Sequence, residues 1–108
     1  MSLDQMRPEL WIGQVEIRPR DRKAYGAAGA LVDILTWASN PSEYRAKAET
    51  IAATIDLYVV GVESEEPLSA RLARITPSEE LEDMISRAES NPNAIVWGTF
   101  HQWNFDTA

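Results

Sequence analysis

The sequence predicts an α+β fold: a mixed, mainly antiparallel sheet of four or five strands with two amphipathic helices on one face, ferredoxin-like in general plan. Three observations support this prediction. The chain opens with a period-two apolar pattern, two amphipathic helical patterns follow, and a short apolar run comes after each of them. A length of 108 residues indicates one domain over 1–108, and we expect 1–8 to form a loose N-terminal arm.

The first two strands are separated by a polar loop. Apolar residues alternate with polar ones over 11–17, which is typical of a strand with one wetter face. A loop is predicted over 18–29, because Pro19 removes a backbone donor and glycines relax the chain. The segment 30–39 fits helical or strand spacing. We favour a strand, because β-branched residues crowd a short run and a helix start follows at once.

Two similar stretches, SNPSEY and ITPSEE, carry the signals of helix starts. Asn40 and Thr76 occupy capping positions, and each is followed by a proline and, three residues after the cap, by a glutamate. Apolar residues at i, i+3, i+4 and i+7 then predict helices over about 41–55 and 77–90. The shared residues are start signals, so we interpret the echo as a repeated helix and strand unit and not as a duplicated functional site.

The remaining strands follow the two helices. Apolar runs over 56–63 and 94–103 predict strands, and the second is entered through a turn signal at 91–93. Between the units, 64–75 fits a short helix, an edge strand or a loop. A strand over 68–75 would bring the plan closest to the ferredoxin-like fold.

Charge restricts the class of partner. The net charge is −7, and the excess lies in 41–108, which holds twelve acidic residues against five basic ones. An acidic field opposes binding to phosphate backbones, so we do not expect a nucleic-acid partner, whereas a basic protein is easily accommodated. No stretch approaches the roughly 20 apolar residues of a membrane span. We therefore expect no membrane contact and a cytoplasmic location.

Surplus apolar residues predict an interface. Helices on one face would leave the other face open, and neither strand after a helix has a clean polar side. The chain's own loops could cover that face, but we favour a second chain, either another copy or a different protein. The residues expected to anchor this interface are Trp11, Trp37, Trp97 and Trp103.

Two acidic groups are candidates for contact with a basic partner. The first lies in the opening turn of the second helix, where the helix dipole also favours acids on a solvated face; its members are Glu79, Glu80, Glu82 and Asp83. The second is predicted in a solvated turn and consists of Glu63, Glu65 and Glu66.

An anion site is the alternative prediction. Basic side chains beside glycines can hold an anion, particularly where a helix follows; the candidates are Arg18, Arg20, Arg22, Lys23, Gly26 and Gly29. This stretch lacks a Walker lysine and a three-glycine fingerprint, and we favour a flexible solvated loop over an anion site. Asp33 interrupts an apolar run, and His101 is the one histidine of the sequence, so a small-molecule site would use both.

The sequence predicts no catalytic residue, no cofactor and no metal site, since it has one histidine, no cysteine and no calcium-loop spacing. The leading hypothesis is a small acidic, non-enzymatic protein-binding module. It would form a homodimer or sequester a partner, as inhibitors and immunity-type proteins of similar size and charge do. The alternative is a small-ligand or anion-binding protein, or a minor enzyme, that uses the 18–29 loop, Asp33 and His101.

Overall fold

The computed structural model describes residues 8–21 and 28–103, which hold five strands and three helices. Their order is β1 (Glu9–Pro19), β2 (Gly29–Ala38), α1 (Pro41–Ala53), β3 (Leu57–Pro67), α2 (Leu68–Leu72), α3 (Glu79–Glu89), β4 (Ile95–Trp97) and β5 (His101–Trp103). The α+β class and the strand predicted over 30–39 are confirmed. Of the predicted arm, all but Pro8 lies outside the described residues.

The sheet is antiparallel at every described pairing, with the order β3-β1-β2-β4 and with β5 also on β2. The β4 and β5 strands form one interrupted edge. Between the pairs Ile34–Trp97 and Leu31–His101, two residues of β2 face three residues of the edge, which is the count of a β-bulge. The ferredoxin-like plan fits only loosely, because that plan begins with a strand, helix and strand, whereas here β1 and β2 pair directly.

The two longer helices lie on opposite faces of the sheet, which corrects the expectation that both cover one face. Successive side chains of a strand point to opposite faces. Trp11 packs in one core with Tyr44 of α1, whereas the adjacent Ile12 packs in the other core with Met84 of α3. We call these the first and second faces. Apolar residues on both sides of β1 and β2 therefore find cover within the chain, so they form no surplus.

The start of α1 agrees with its predicted cap. The Asn40 Oδ1 accepts a hydrogen bond from the Glu43 amide at 2.8 Å, and the Ser39 amide donates to the Glu43 carboxylate at 3.2 Å. The helix buries Tyr44, Ala48 and Ala52, so small side chains let it approach the sheet. It ends at Ala53, where Thr54 caps it.

The start of α3 differs from the prediction. Thr76 does not cap the helix, because the Ser78 hydroxyl accepts a bond from the Leu81 amide at 3.1 Å and the helix begins at Glu79. In the undetermined segment, β3 runs on to Pro67 and the short α2 follows. The acids expected in a turn from Glu63 onward therefore lie in a strand, which bulges around Ser64 with a positive φ of 58°.

Candidate functional site

One half of the second face carries no described helix. The core beneath α2 and α3 involves Ile12 and Leu35, toward one end of the central strands. At the other end Gly29 is buried, whereas the other described second-face residues are partly or fully exposed. We call this surface the acidic half-face; it consists of Gln14, Glu16, Arg18, Leu31, Asp33, Tyr58, Gly61, Glu63 and His101.

Strand register places these residues in rows across the sheet. Residues that pair directly share a face and lie about 4.5–5.5 Å apart at Cβ, and diagonal neighbours lie about 7–8 Å apart. Carboxylates of adjacent strands therefore come within reach of one another. One row is Gly61, Glu16, Leu31 and His101, and the next is Glu63, Gln14 and Asp33.

A cavity of about 210 Å³ opens on the acidic half-face. Its lining residues are Gln14, Glu16, Leu31, Gly61 and Glu63. A Cβ atom added at Gly61 would meet nothing within 4 Å, so the space above this strand is open. Pockets for drug-sized ligands measure about 300–1,000 Å³, so this cavity suits one side chain or a small amine better than a nucleotide.

Arg18 is a partner of the acids on this surface. Its guanidinium donates to the Glu16 carboxylate at 3.3 Å, and its Nε atom is buried with no hydrogen-bond partner among the described residues. The exposed Arg20 makes a backbone bond to Asp56 at 3.0 Å. An anion approaching Arg18 would therefore meet carboxylates, which disfavours the predicted anion site.

The rest of the anion prediction has little structural support. Gly29 begins β2, so a strand and no helix follows the loop, and the favourable helix N-terminus is missing there. Arg22, Lys23 and Gly26 lie outside the described residues.

Asp33 and His101 do come to the same surface. His101 is exposed and pairs with Leu31, two residues from Asp33 along β2. Burial raises the pKa of Asp33; Arg71 acts in the opposite direction, and Glu80 raises this pKa further. The structure thus places Asp33 and His101 on one surface, which is dominated by acids, but neither residue lines the cavity, and 22–27 of the predicted loop lie outside the described residues.

The described tryptophans serve internal packing. Trp11 is 9% exposed in the first-face core, and its indole Nε1 has no hydrogen-bond partner among the described residues. Trp97 packs against that core, with its ring centroid 5.2 Å from that of Phe100. The Trp37 indole donates to the Ala88 carbonyl of α3. The Trp103 side chain lies outside the described structure.

The exposed apolar side chains lie elsewhere. The large apolar residues with the greatest exposure in the described structure fall between positions 55 and 75; they are Ile55, Tyr58, Val60, Leu72 and Ile75. Tyr58 and Val60 belong to β3, which has no neighbour on its outer side among the described strands. Neither Tyr58 nor Val60 was among the residues expected to anchor an interface. Their signal was the alternation in the 56–63 run, which we interpreted as apolar on both sides.

Two of the acidic residues in the first turn of α3, Glu80 and Asp83, bind other described residues. Glu80 accepts hydrogen bonds from the hydroxyl and the amide of Thr99, which lowers the pKa of Glu80. Asp83 pairs with Arg87 at 3.0 Å, one helical turn away. Glu79 and Glu82 are exposed. These acids lie on a convex helix and line no described cavity.

Within the described ranges, no group of three or more histidine, aspartate or glutamate side chains could hold a metal ion. None of the described helices has the length and apolar character needed to cross a membrane. Comparisons of the chain with protein-family models, with curated proteins and with solved structures give no match.

Proposed function

We propose that this chain is a protein-binding module that holds a basic partner on the acidic half-face. One observation supports the proposal above others: Glu16, Asp33 and Glu63 share the half of a sheet face that no described helix covers, and Glu16 and Glu63 line an open cavity there. A surface of one charge sign attracts and orients a partner of the opposite sign. The net charge of −7 strengthens the same preference.

The size of the half-face indicates how the partner would sit. Four strand positions about 4.8 Å apart and three rows about 6.8 Å apart give a surface of roughly 20 Å by 20 Å, or about 400 Å². A standard interface buries about 800 Å² on each partner. The partner would therefore extend over the neighbouring edge strand, where Tyr58 and Val60 are exposed. Aromatic and aliphatic contacts there would supply the apolar part of the interface.

A different protein fits this surface better than a second copy. Two half-faces in contact would bring Glu16 and Glu63 of one chain against the same acids of another, and like charges in direct opposition are destabilising. A homodimer would have to use another surface. The cytoplasmic location expected from the sequence stays a prediction.

The alternative of a small-ligand protein or minor enzyme rests on Asp33 and His101, which share the half-face. Its anion-binding version has less support, since the carboxylates repel the ligand. Protein binding accounts for the whole surface, including the exposed Tyr58, so it is the function we propose.

Two triple variants test the proposal. The half-face variant carries E16Q, D33N and E63Q, and the control variant carries E79Q, E82Q and D83N. Each removes three negative charges, so both change the net charge from −7 to −4. We would immobilise each protein, pass the native lysate over it, and identify the captured proteins by mass spectrometry.

We expect the wild type and the control variant to capture the same basic protein, and the half-face variant to bind it at least about tenfold more weakly, equivalent to about 1.4 kcal/mol. An equal reduction of capture in both variants, relative to the wild type, would show that only the overall charge matters. Capture at the wild-type level by the half-face variant would also contradict a site on this surface. Light scattering after size exclusion tests the homodimer. A stable dimer with no captured basic protein would also contradict the proposal.

A further inference from the structure

We propose that the cavity on the acidic half-face receives a single basic side chain, lysine or arginine, from the partner protein. This inference rests on the proposed function and names the contact that anchors it. The charge, the floor and the volume of the cavity each favour this occupant.

The charged rim matches a cation. Glu16 on β1 and Glu63 on β3 are diagonal neighbours, and Gln14 lies beside both of them. The Glu16 Oε2 atom already accepts from Arg18 at 3.3 Å, which shows that this surface accommodates a guanidinium. The structure shows no ion pair of Glu63 with any other described residue. The other Glu16 oxygen, both Glu63 oxygens and the Gln14 amide oxygen can accept the donors of an ammonium or a guanidinium.

The floor matches an aliphatic stem. Leu31 contributes an apolar side chain, and Gly61 contributes none, so a chain of methylene groups can lie flat across the strands. Lysine and arginine place their methylene stems on apolar surface and keep the charged head among polar groups. Tyr58 pairs with Arg18 in the next row and is 42% exposed, so an aromatic ring borders the same surface.

The volume restricts the occupant to one side chain. About 210 Å³ is below the range of pockets that hold drug-sized ligands. A free cofactor or a nucleotide would exceed it, and its phosphates would meet Glu16 and Glu63. A basic side chain of a partner protein is small enough for the cavity and has the opposite charge to its rim.

A cavity built to bind a cation should also lower the stability of the free protein. Glu63 and Glu16 are diagonal neighbours of like charge on the cavity rim, so Glu63→Gln should raise the melting temperature of the free protein by about 1–2 °C. The same variant should weaken cation binding. A glutamate with only a structural role would show the opposite effect on melting.

The direct test is an amide NMR titration with three probes: Nα-acetyl-arginine methylamide, Nα-acetyl-lysine methylamide, and the neutral Nα-acetyl-citrulline methylamide. We expect millimolar binding of at least one cationic probe, with the largest shifts at Gln14 and Gly61, and no saturable shift with citrulline. Glu63→Gln should weaken binding at least fivefold, while the control Glu82→Gln leaves it unchanged. The arginine and lysine arms identify which side chain fits.

The inference is overturned if citrulline binds as well as arginine, or if the cationic probes shift the first turn of α3 as strongly as Gly61. Its failure differs from failure of the proposed function. Loss of the captured protein in the half-face triple variant, without probe binding in the cavity, would retain the function and reject the cavity as its anchor. Probe binding without capture of any basic protein would reject the function and leave a cation site.

Discussion

The indole N–H of Trp37 donates a hydrogen bond to the carbonyl oxygen of Ala88 at 3.0 Å, and the Asn91 carbonyl shares the same donor at 3.1 Å. The last carbonyl groups of a helix have no partner within the helix. The Ala88 carbonyl also accepts from the Asn91 amide at 3.2 Å, so Trp37 on β2 adds a side-chain donor at the end of α3 and links this helix to the second face. The arrangement explains why a tryptophan expected at an interface is only partly exposed.

Replacement of Trp37 by phenylalanine should destabilise the fold by about 1–2 kcal/mol. The ring still packs, but the part-buried indole donor shared by the Ala88 and Asn91 carbonyls is lost, while the Ala88 carbonyl keeps its bond from the Asn91 amide. Urea unfolding of both proteins measures the difference. We expect a lower midpoint with an unchanged slope, since the native compactness is retained. An unchanged midpoint would show that solvent replaces the indole at no cost.

Replacement of Tyr44 by phenylalanine should cost about 1–2 kcal/mol as well. Tyr44 is fully buried, and its hydroxyl donates to the Ile34 carbonyl at 2.7 Å, with the Gly13 carbonyl at 3.2 Å. The same change at Tyr58, which is 42% exposed, is the matched control and should stay within about 0.5 kcal/mol. Similar losses in the two variants would contradict the hydrogen-bonding role of Tyr44.

Glu66 should stabilise the protein only above acidic pH. Hydrogen bonds from Arg74 and Arg71 lower the pKa of Glu66 to about 2, from an ordinary value of 4.5. Because the folded-state pKa is the lower one, this contribution is complete above about pH 5 and is lost as the pH falls toward 2.

Melting curves of the wild type and of Glu66→Gln between pH 2 and 7 check this prediction. The difference in melting temperature should be greatest near neutral pH and should shrink toward pH 2. Added salt should reduce it, because these charges are near the surface. A difference that stays constant with pH would mean that Glu66 acts through packing alone.

Asp33→Asn should stabilise the protein at pH 7. Burial raises the pKa of Asp33 above its ordinary value of 3.8, so the folded state binds the proton more tightly than the unfolded state does. Stability then falls as the pH rises through the folded-state pKa, and the ionised carboxylate is a cost at neutral pH. The variant removes that cost.

The gain in melting temperature from Asp33→Asn should decrease toward about pH 3, where the wild-type carboxyl is protonated in both states. Asp83→Asn is the matched control. Asp83 is exposed and pairs with Arg87, so this control should show no gain at pH 7. A loss of stability in Asp33→Asn at neutral pH would show that the ionised form is needed in the fold.

Local signals predicted the elements better than their boundaries. The start of α1 followed from Asn40 and Glu43, whose contacts are within four residues. Thr76 was the wrong cap for α3, because Ser78 offers a cap of similar quality two residues later. The choice depends on which register lets Leu81 enter the second-face core, and this is a tertiary contact that no local pattern contains.

The placement of the helices was predictable only in part. Apolar residues on both sides of β1 indicate that both faces need cover, but they do not say whether a helix or another chain supplies it. Neighbouring residues such as Trp11 and Ile12 belong to different cores. The alternation predicted a strand correctly, while our assignment of both helices to one face was wrong.

The residues of the candidate site were likewise predictable only in part. Asp33 and His101 were identified from the sequence, since a carboxylate in an apolar run and a single histidine are visible there. Glu63 was identified as a member of an acidic group, but its position beside Gln14 and Gly61 was not, because the register of β3 on β1 brings these residues together after two bulges. Long-range register of this kind depends on the whole sheet.

The central claim is that positive molecules collect at the acidic half-face and not at the other acidic surface, the first turn of α3. Paramagnetic broadening of amide signals by the cationic nitroxide 4-amino-TEMPO, compared with its neutral 4-hydroxy analogue, tests this claim most directly. We predict excess broadening by the cation centred on Gln14, Gly61 and Glu63. Excess broadening that is uniform, or that is strongest from Glu79 to Asp83, would contradict the account.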